Sequence, residues 1–112
     1  MAWLFSYGTL RQPEVQRALF GRLLESHEDI LPGYTLASIT IADPQVIALS
    51  GSAEHPILRI SDDPEDVVFG MALNVSEGDL ARADVYEDPA YRRVLASLRS
   101  GRRAYVYVER AG

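Results

Sequence analysis

The sequence predicts a small mixed α+β fold: a curled sheet or compact β-barrel of about six to eight short strands with two short helices. Three observations point there. Short apolar or β-branched runs recur along the chain, separated by Gly, Pro and Asp clusters that mark turns. Only two segments carry helix punctuation, one opened by Pro13 and one by Ser76. The 112 residues fit one domain, 1–112, of a size that buries enough surface to fold without a metal or disulfide.

Each element follows from its residues. Residues 2–7 read as a buried strand, because the apolar run Ala2-Trp3-Leu4-Phe5 is short and breaks at Gly8. Pro13 suits the first turn of a helix through Phe20, with Val15, Ala18 and Leu19 on one face and Gly21 as its C-terminal cap. Residues 22–31 read as a strand and Pro32-Gly33 as a turn. Residues 34–41 are rich in β-branched Thr35, Ile39, Thr40 and Ile41. Residues 46–49 and 57–60 read as short strands between turn clusters, and 62–66 as an acidic loop. Residues 67–75 carry the strongest strand signal, with Gly70 marking a bulge or a close backbone approach.

Ser76 then reads as a helix N-cap, with Asp79 three residues on as a capping-box partner. That helix runs to about Tyr86 with Leu80 and Ala83 inward, and Pro89 stops it. Residues 91–98 form a strand, 99–102 a tight hairpin turn, and 103–109 the returning strand. On that last strand Ala104, Val106 and Val108 share one face, and Tyr105 and Tyr107 the other.

Composition narrows the function. The net charge is −5, against the basic face that non-specific nucleic-acid binding needs. The chain has no cysteine, which removes disulfides, thiolate metal sites and a Cys nucleophile. All eleven basic residues are Arg, so there is no Schiff-base or phosphate-loop lysine. No apolar run approaches the ~20 residues of a membrane span, and no signal-peptide pattern opens the chain. The expected location is the cytoplasm, with no membrane or nucleic-acid partner and with monomer and homodimer both open.

Motifs for the common chemistries are missing: no G-x-S-x-G, G-x-G-x-x-G or P-loop appears. The two histidines, His27 and His55, have no carboxylate spacing of a metal site, so no metal is expected. Arg92-Arg93 and Arg102-Arg103 read either as solvated strand charge or as an anion site, since Arg holds carboxylates bidentately. The densest stretch runs from Asp84 to Arg93, with acids, tyrosines and arginines around Pro89. Within it Glu87 falls near a helix C-terminus, where the macrodipole disfavours an anion, and beside aromatic residues that desolvate it. Both effects raise a carboxyl pKa toward what general acid/base work needs.

Tyr7-Gly8-Thr9-Leu10 after the first strand, followed about eighty residues later by Glu87, Tyr91 and Arg93, resembles the gamma-glutamylcyclotransferase-like family. The likeness is greatest to its small bacterial and plant avirulence-induced-protein-like branch. Pro32-Gly33-Tyr34 and Val68-Phe69-Gly70 look like intermediate landmarks, so the resemblance spans nearly the whole chain. It implies a compact α/β barrel and release of 5-oxoproline from gamma-glutamyl amines or amino acids without a cofactor. It further implies Glu87 as the acid/base group and the Tyr7 to Leu10 loop as the substrate cradle, with Tyr91 and Arg93 orienting Glu87 or the substrate. A glycine commonly follows the family's glutamate; here Asp88 does. Two other readings stay open: an inactive small-carboxylate-binding domain of the same fold, and an interaction module that uses the Tyr105/Tyr107 strand as a sheet edge.

Overall fold

The computed structural model describes residues 2–40, 44–50, 54–87 and 89–110. Seven strands form two sheets. The larger contains β1 (Ala2–Ser6), β2 (Ser26–Pro32), β5 (Val67–Val75), β6 (Tyr91–Ser97) and β7 (Arg103–Glu109) in the order β2-β5-β1-β7-β6. The smaller pairs β3 (Tyr34–Thr40) with β4 (Glu54–Ile60). Helices α1 (Pro13–Phe20), α2 (Pro44–Ser50) and α3 (Glu77–Tyr86) and a 3-10 turn over Thr9–Arg11 are the other elements among the described residues. No helix among the described residues is long and apolar enough to cross a membrane.

β1 is the central strand. It runs antiparallel to β5 and parallel to β7, and every other pairing is antiparallel. A central strand covered on both faces reads as a continuous apolar run, and the alternation shows why. Leu4, with Leu73 and Val75 of β5, joins the core shared with α1 and α3, whereas Phe5, with Ala72 and Val106, joins the core on the opposite face. β4 packs against β7 and β3 against β5, which covers that second face.

The sheet curls but is not a closed barrel, so of the two expected forms the open one holds. The reason lies at its edges. β2 and β6 share no ladder, and the β6–β7 hairpin tip meets β2 through a latch instead. Arg99 N donates to Ile30 O at 2.8 Å, and buried Asp29 accepts from Ser100 N at 3.3 Å, from Ser100 Oγ at 2.5 Å and from Arg102 Nη1 at 3.0 Å. Burial pushes the Asp29 carboxyl pKa up, and the bonds from Ser100, from the Ile30 amide at 2.8 Å and from Arg102 together more than reverse it, so the net direction is down.

Several local expectations change. Residues 46–49 lie in α2, not in a strand: a short apolar run fits either state, and Pro44 at the first helical position decides it. β2 begins at Ser26 rather than at residue 22, because the preceding segment is held elsewhere: Arg22 turns to Asp79 and Leu24 N donates to Gln16 Oε1. Ala18 is exposed, and α1 instead buries Val15, Gln16 and Phe20. The Tyr105/Tyr107 strand is not an edge, since β7 lies between β1 and β6 with both neighbours hydrogen-bonded. Elsewhere the reading holds closely. Gly21 caps α1 in the left-handed conformation (φ 75°), β5 spans residues 67–75, and Ser76 and Asp79 close a reciprocal capping box on α3.

Candidate functional site

The site forms where β1 leaves the sheet. β1 pairs with β5 as far as Ser6 opposite Met71, and Gly70 lies one step beyond. A Cβ at position 70 would collide with the Ser6 carbonyl and lie 2.7 Å from Phe5 Cζ, so glycine alone lets β5 pass under the end of β1. Past this crossing Tyr7 is buried, and its hydroxyl donates to the carbonyl of Tyr107.

Gly8 opens the 3-10 turn. Arg11 N donates to Gly8 O at 3.2 Å and Gln12 N to Thr9 O at 3.0 Å, while the leading amides of such a turn have no partner within it. The turn is braced from two sides. Buried Gln16 donates Nε2 to Leu10 O at 2.9 Å and accepts Leu24 N at 3.0 Å. Thr9 Oγ1 and Tyr86 Oη lie 2.8 Å apart in a hydrogen bond, joining the turn to the last residue of α3.

That bond explains why residues eighty positions apart meet. Glu87 follows Tyr86 as the C-cap of α3, in extended conformation, its N–H bonded to Ala83 O at 3.0 Å. Tyr91 opens β6, is buried, and donates its hydroxyl to Pro56 O at 2.6 Å. Tyr7, Gly8, Thr9, Leu10, Glu87 and Tyr91 therefore line one cavity of about 30 Å³, with Phe5, Ser6, Pro56 and Tyr107 as its other walls. Such a volume holds about one water-sized group. Arg93 stands outside it. Its guanidinium pairs with Asp84 at 3.2 Å and stacks over Tyr105 at 4.7 Å.

A wider groove of about 590 Å³ opens beside the cavity and shares Glu87, Tyr91 and Tyr107 with it. Glu87 thus stands at the boundary between a narrow recess and a wider groove. Three phenols feel its charge. Burial first, then Tyr91 and the Glu87 carboxylate, push the Tyr7 hydroxyl pKa far above its usual range. Burial, the bond to Asp84, and the charges of Asp84 and Glu87 do the same for Tyr107. Tyr86 is raised by burial and by Glu87, against the Thr9 bond. All three stay protonated at neutral pH; Tyr7 donates to the Tyr107 carbonyl, Tyr107 to Asp84, and Tyr86 shares a hydrogen bond with Thr9.

Sequence reasoning missed Tyr107, Pro56 and the Gln16 brace. Tyr107 carried a signal in its alternation opposite Val106 and Val108, but strand periodicity gives a face and not what covers it. Among the described residues no group of His, Asp and Glu is arranged to hold a metal. His27 lies on β2 with Nε2 2.8 Å from Glu25, the His55 side chain lies outside the description, and Asp88 lies outside the described residues.

The sequence matches the family described as gamma-glutamyl cyclotransferase, AIG2-like, over residues 4–111. The fold is similar to the solution structure of At3g28950.1 from Arabidopsis thaliana, at 23% identity and TM-score 0.73, over 96% of this chain and 61% of that one. It is similar to the crystal structure of the uncharacterized protein PH0828 from Pyrococcus horikoshii, at 18% identity and TM-score 0.68, over 100% and 80%. A gamma-glutamyl cyclotransferase matches at 15% identity and TM-score 0.69, over 97% and 66%. The chain thus spans less than two thirds of the Arabidopsis protein's length. No curated protein matches it.

Proposed function

The chain belongs to the gamma-glutamyl cyclotransferase, AIG2-like family, and on that premise we propose that it releases 5-oxoproline from a gamma-glutamyl amine or amino acid. One observation carries the reading: Glu87 and the Tyr7–Leu10 turn, eighty residues apart in sequence, line one recess.

The chemistry asks for little. The substrate's alpha-nitrogen bonds to the carbonyl carbon of its own gamma-amide (Cδ of the glutamyl unit), closing a five-membered lactam, and the bond from that carbon to the leaving nitrogen breaks. Nucleophile and electrophile sit in one molecule, so folding the chain back supplies most of the approach. Glu87 takes one proton from the alpha-ammonium and passes it to the departing nitrogen, which leaves as a neutral amine, while the second proton shed by the ring nitrogen goes to water. Both transfers suit one carboxylate at the boundary between a narrow recess and a wider groove.

The amides of the Gly8–Thr9–Leu10 turn, Gly8 N by giving up its long 3.4 Å bond to Ser6 Oγ, serve the oxyanion or the alpha-carboxylate. The recess holds only a single small group, which fits a carboxylate or a carbonyl oxygen better than a whole side chain. The leaving amine then lies in the groove beyond Glu87. Tyr91 fixes the wall between the two through its bond to Pro56 O. Arg93 acts from a distance, as the partner of Asp84, which in turn accepts from Tyr107. No step calls for a cofactor.

Purified protein offered a panel of gamma-glutamyl amines and amino acids should form 5-oxoproline and free amine in equal amounts from at least one. The small recess also favours a second reading, a domain that binds small carboxylates without turnover. In that case glutamate or 5-oxoproline raises the melting temperature, while no panel member yields product.

A further inference from the structure

The groove beyond Glu87 has a charge that the proposed reaction does not need. Arg92, Arg93 and Arg110 line it, against the two carboxylates Asp84 and Glu87. Asp84 is already engaged by Arg93 and by the Tyr107 hydroxyl at 2.7 Å. Arg110 is held by neutral acceptors, Nε to Pro89 O at 3.0 Å and Nη2 to Tyr91 O at 3.2 Å, which fix its guanidinium at the groove without satisfying its charge. Arg92 is exposed on β6 and makes no ion pair among the described residues. In a chain of net charge −5, two such arginines beside one carboxylate, among the described lining residues, are a local reversal of sign.

We infer that Arg92 and Arg110 are specificity residues that select substrates whose leaving amine carries an anion. The inference rests on the cyclotransferase reading, because it assigns the groove to the leaving group. Glu87 handles the scissile nitrogen, and a carboxylate one or two carbons from that nitrogen reaches past Glu87 into the groove. Arg110 receives it with a guanidinium already oriented by two carbonyls, so little freedom is lost on binding. Arg92 adds a second positive charge at the groove's rim, and the acid on its other side, Glu109, is already paired with Arg59. A neutral amine would leave both uncompensated by substrate, and it would gain nothing from the groove's field.

The test compares gamma-glutamylalanine with gamma-glutamylethylamide, whose leaving amines differ only by the carboxylate. The wild type should turn over the first with a kcat/KM on the order of tenfold above the second, the scale of one good ionic contact. That ratio should shrink between ~0.05 M and ~0.5 M salt, as screening predicts. Arg92→Gln should cut the ratio about threefold, and Arg92→Lys should restore most of it. Arg110→Gln should cut it further. Equal turnover of both compounds by the wild type overturns the inference and leaves the cyclotransferase reading standing.

Binding to Glu87→Gln, followed by calorimetry, separates the remaining cases. If no compound is turned over but gamma-glutamylalanine alone binds, and Arg92→Gln weakens it, the anion-selective groove stands while the cyclotransferase reading falls. If neither compound binds nor reacts, both fall.

Discussion

Tyr107 connects both halves of the site: its carbonyl accepts the Tyr7 hydroxyl, and its own hydroxyl donates to Asp84 at 2.7 Å. Burial and the neighbouring carboxylates keep both phenols protonated well above their ordinary range. The pH consequence follows by linkage. A phenol whose folded pKa lies above its unfolded value of about 10 contributes nothing to the pH dependence below that value. Above it the unfolded chain ionises and the folded one does not, so stability falls as pH rises. Absorbance titration near 295 nm should therefore show Tyr7 and Tyr107 ionising only as the protein unfolds. Their loss in Tyr7→Phe/Tyr107→Phe should reduce that late step and spare the earlier one. A titration with all six tyrosines ionising together near pH 10 would contradict the buried, donor-only arrangement.

At the level of elements, α3 carries Glu87 and depends on its other end. Ser76 Oγ accepts Asp79 N at 3.1 Å, Asp79 Oδ2 accepts Ser76 N at 2.9 Å, and Arg22 grips the same carboxylate at 2.7 and 3.0 Å. The Arg22 bond is the main cause holding the Asp79 pKa at about 2, below its ordinary 3.8, against the cost of its burial. A depressed carboxyl stabilises above its unfolded pKa and stops doing so as pH falls through the folded one. This contribution should fade between about pH 4 and pH 2, by roughly 2 kcal/mol at most because half-exposed Arg22 is screened by solvent. Asp79→Asn should flatten that part of the acid unfolding curve. At the other end of the site, Gly70→Ala should destabilise by about 2–3 kcal/mol in urea unfolding, since the Ser6 carbonyl it meets is backbone and cannot step aside.

These elements were largely legible, because their punctuation is local. Ser76 with Asp79, Gly21, and the run 67–75 each carry their own signal. The apolar run 46–49 was ambiguous, since length and composition alone do not separate a short strand from a helical turn. The position of β7 was illegible for a different reason: that it lies between β1 and β6 is a property of strand order, and no residue of β7 encodes it.

For the whole molecule, the same division applies to the site. Tyr7 to Leu10, Glu87 and Tyr91 were marked by residue type and order, and they share a cavity. What brings them together is mostly non-local: the Thr9–Tyr86 bond and the Gly70 crossing join segments far apart in sequence, and the Gln16 brace holds the turn between Leu10 and Leu24. The open sheet is likewise closed at one end only by the Asp29 latch, which no periodicity announces. The site therefore depends on the assembled fold, and the proposed chemistry rests on a single carboxylate, Glu87, at the junction of recess and groove. The most direct measurement is 5-oxoproline release by wild type and Glu87→Gln, side by side on the best gamma-glutamyl substrate, with matched circular dichroism and melting curves. The account predicts product from the wild type and a loss of about 10³-fold or more in the variant, the scale of a lost acid/base group. Equal release by a correctly folded Glu87→Gln would contradict it.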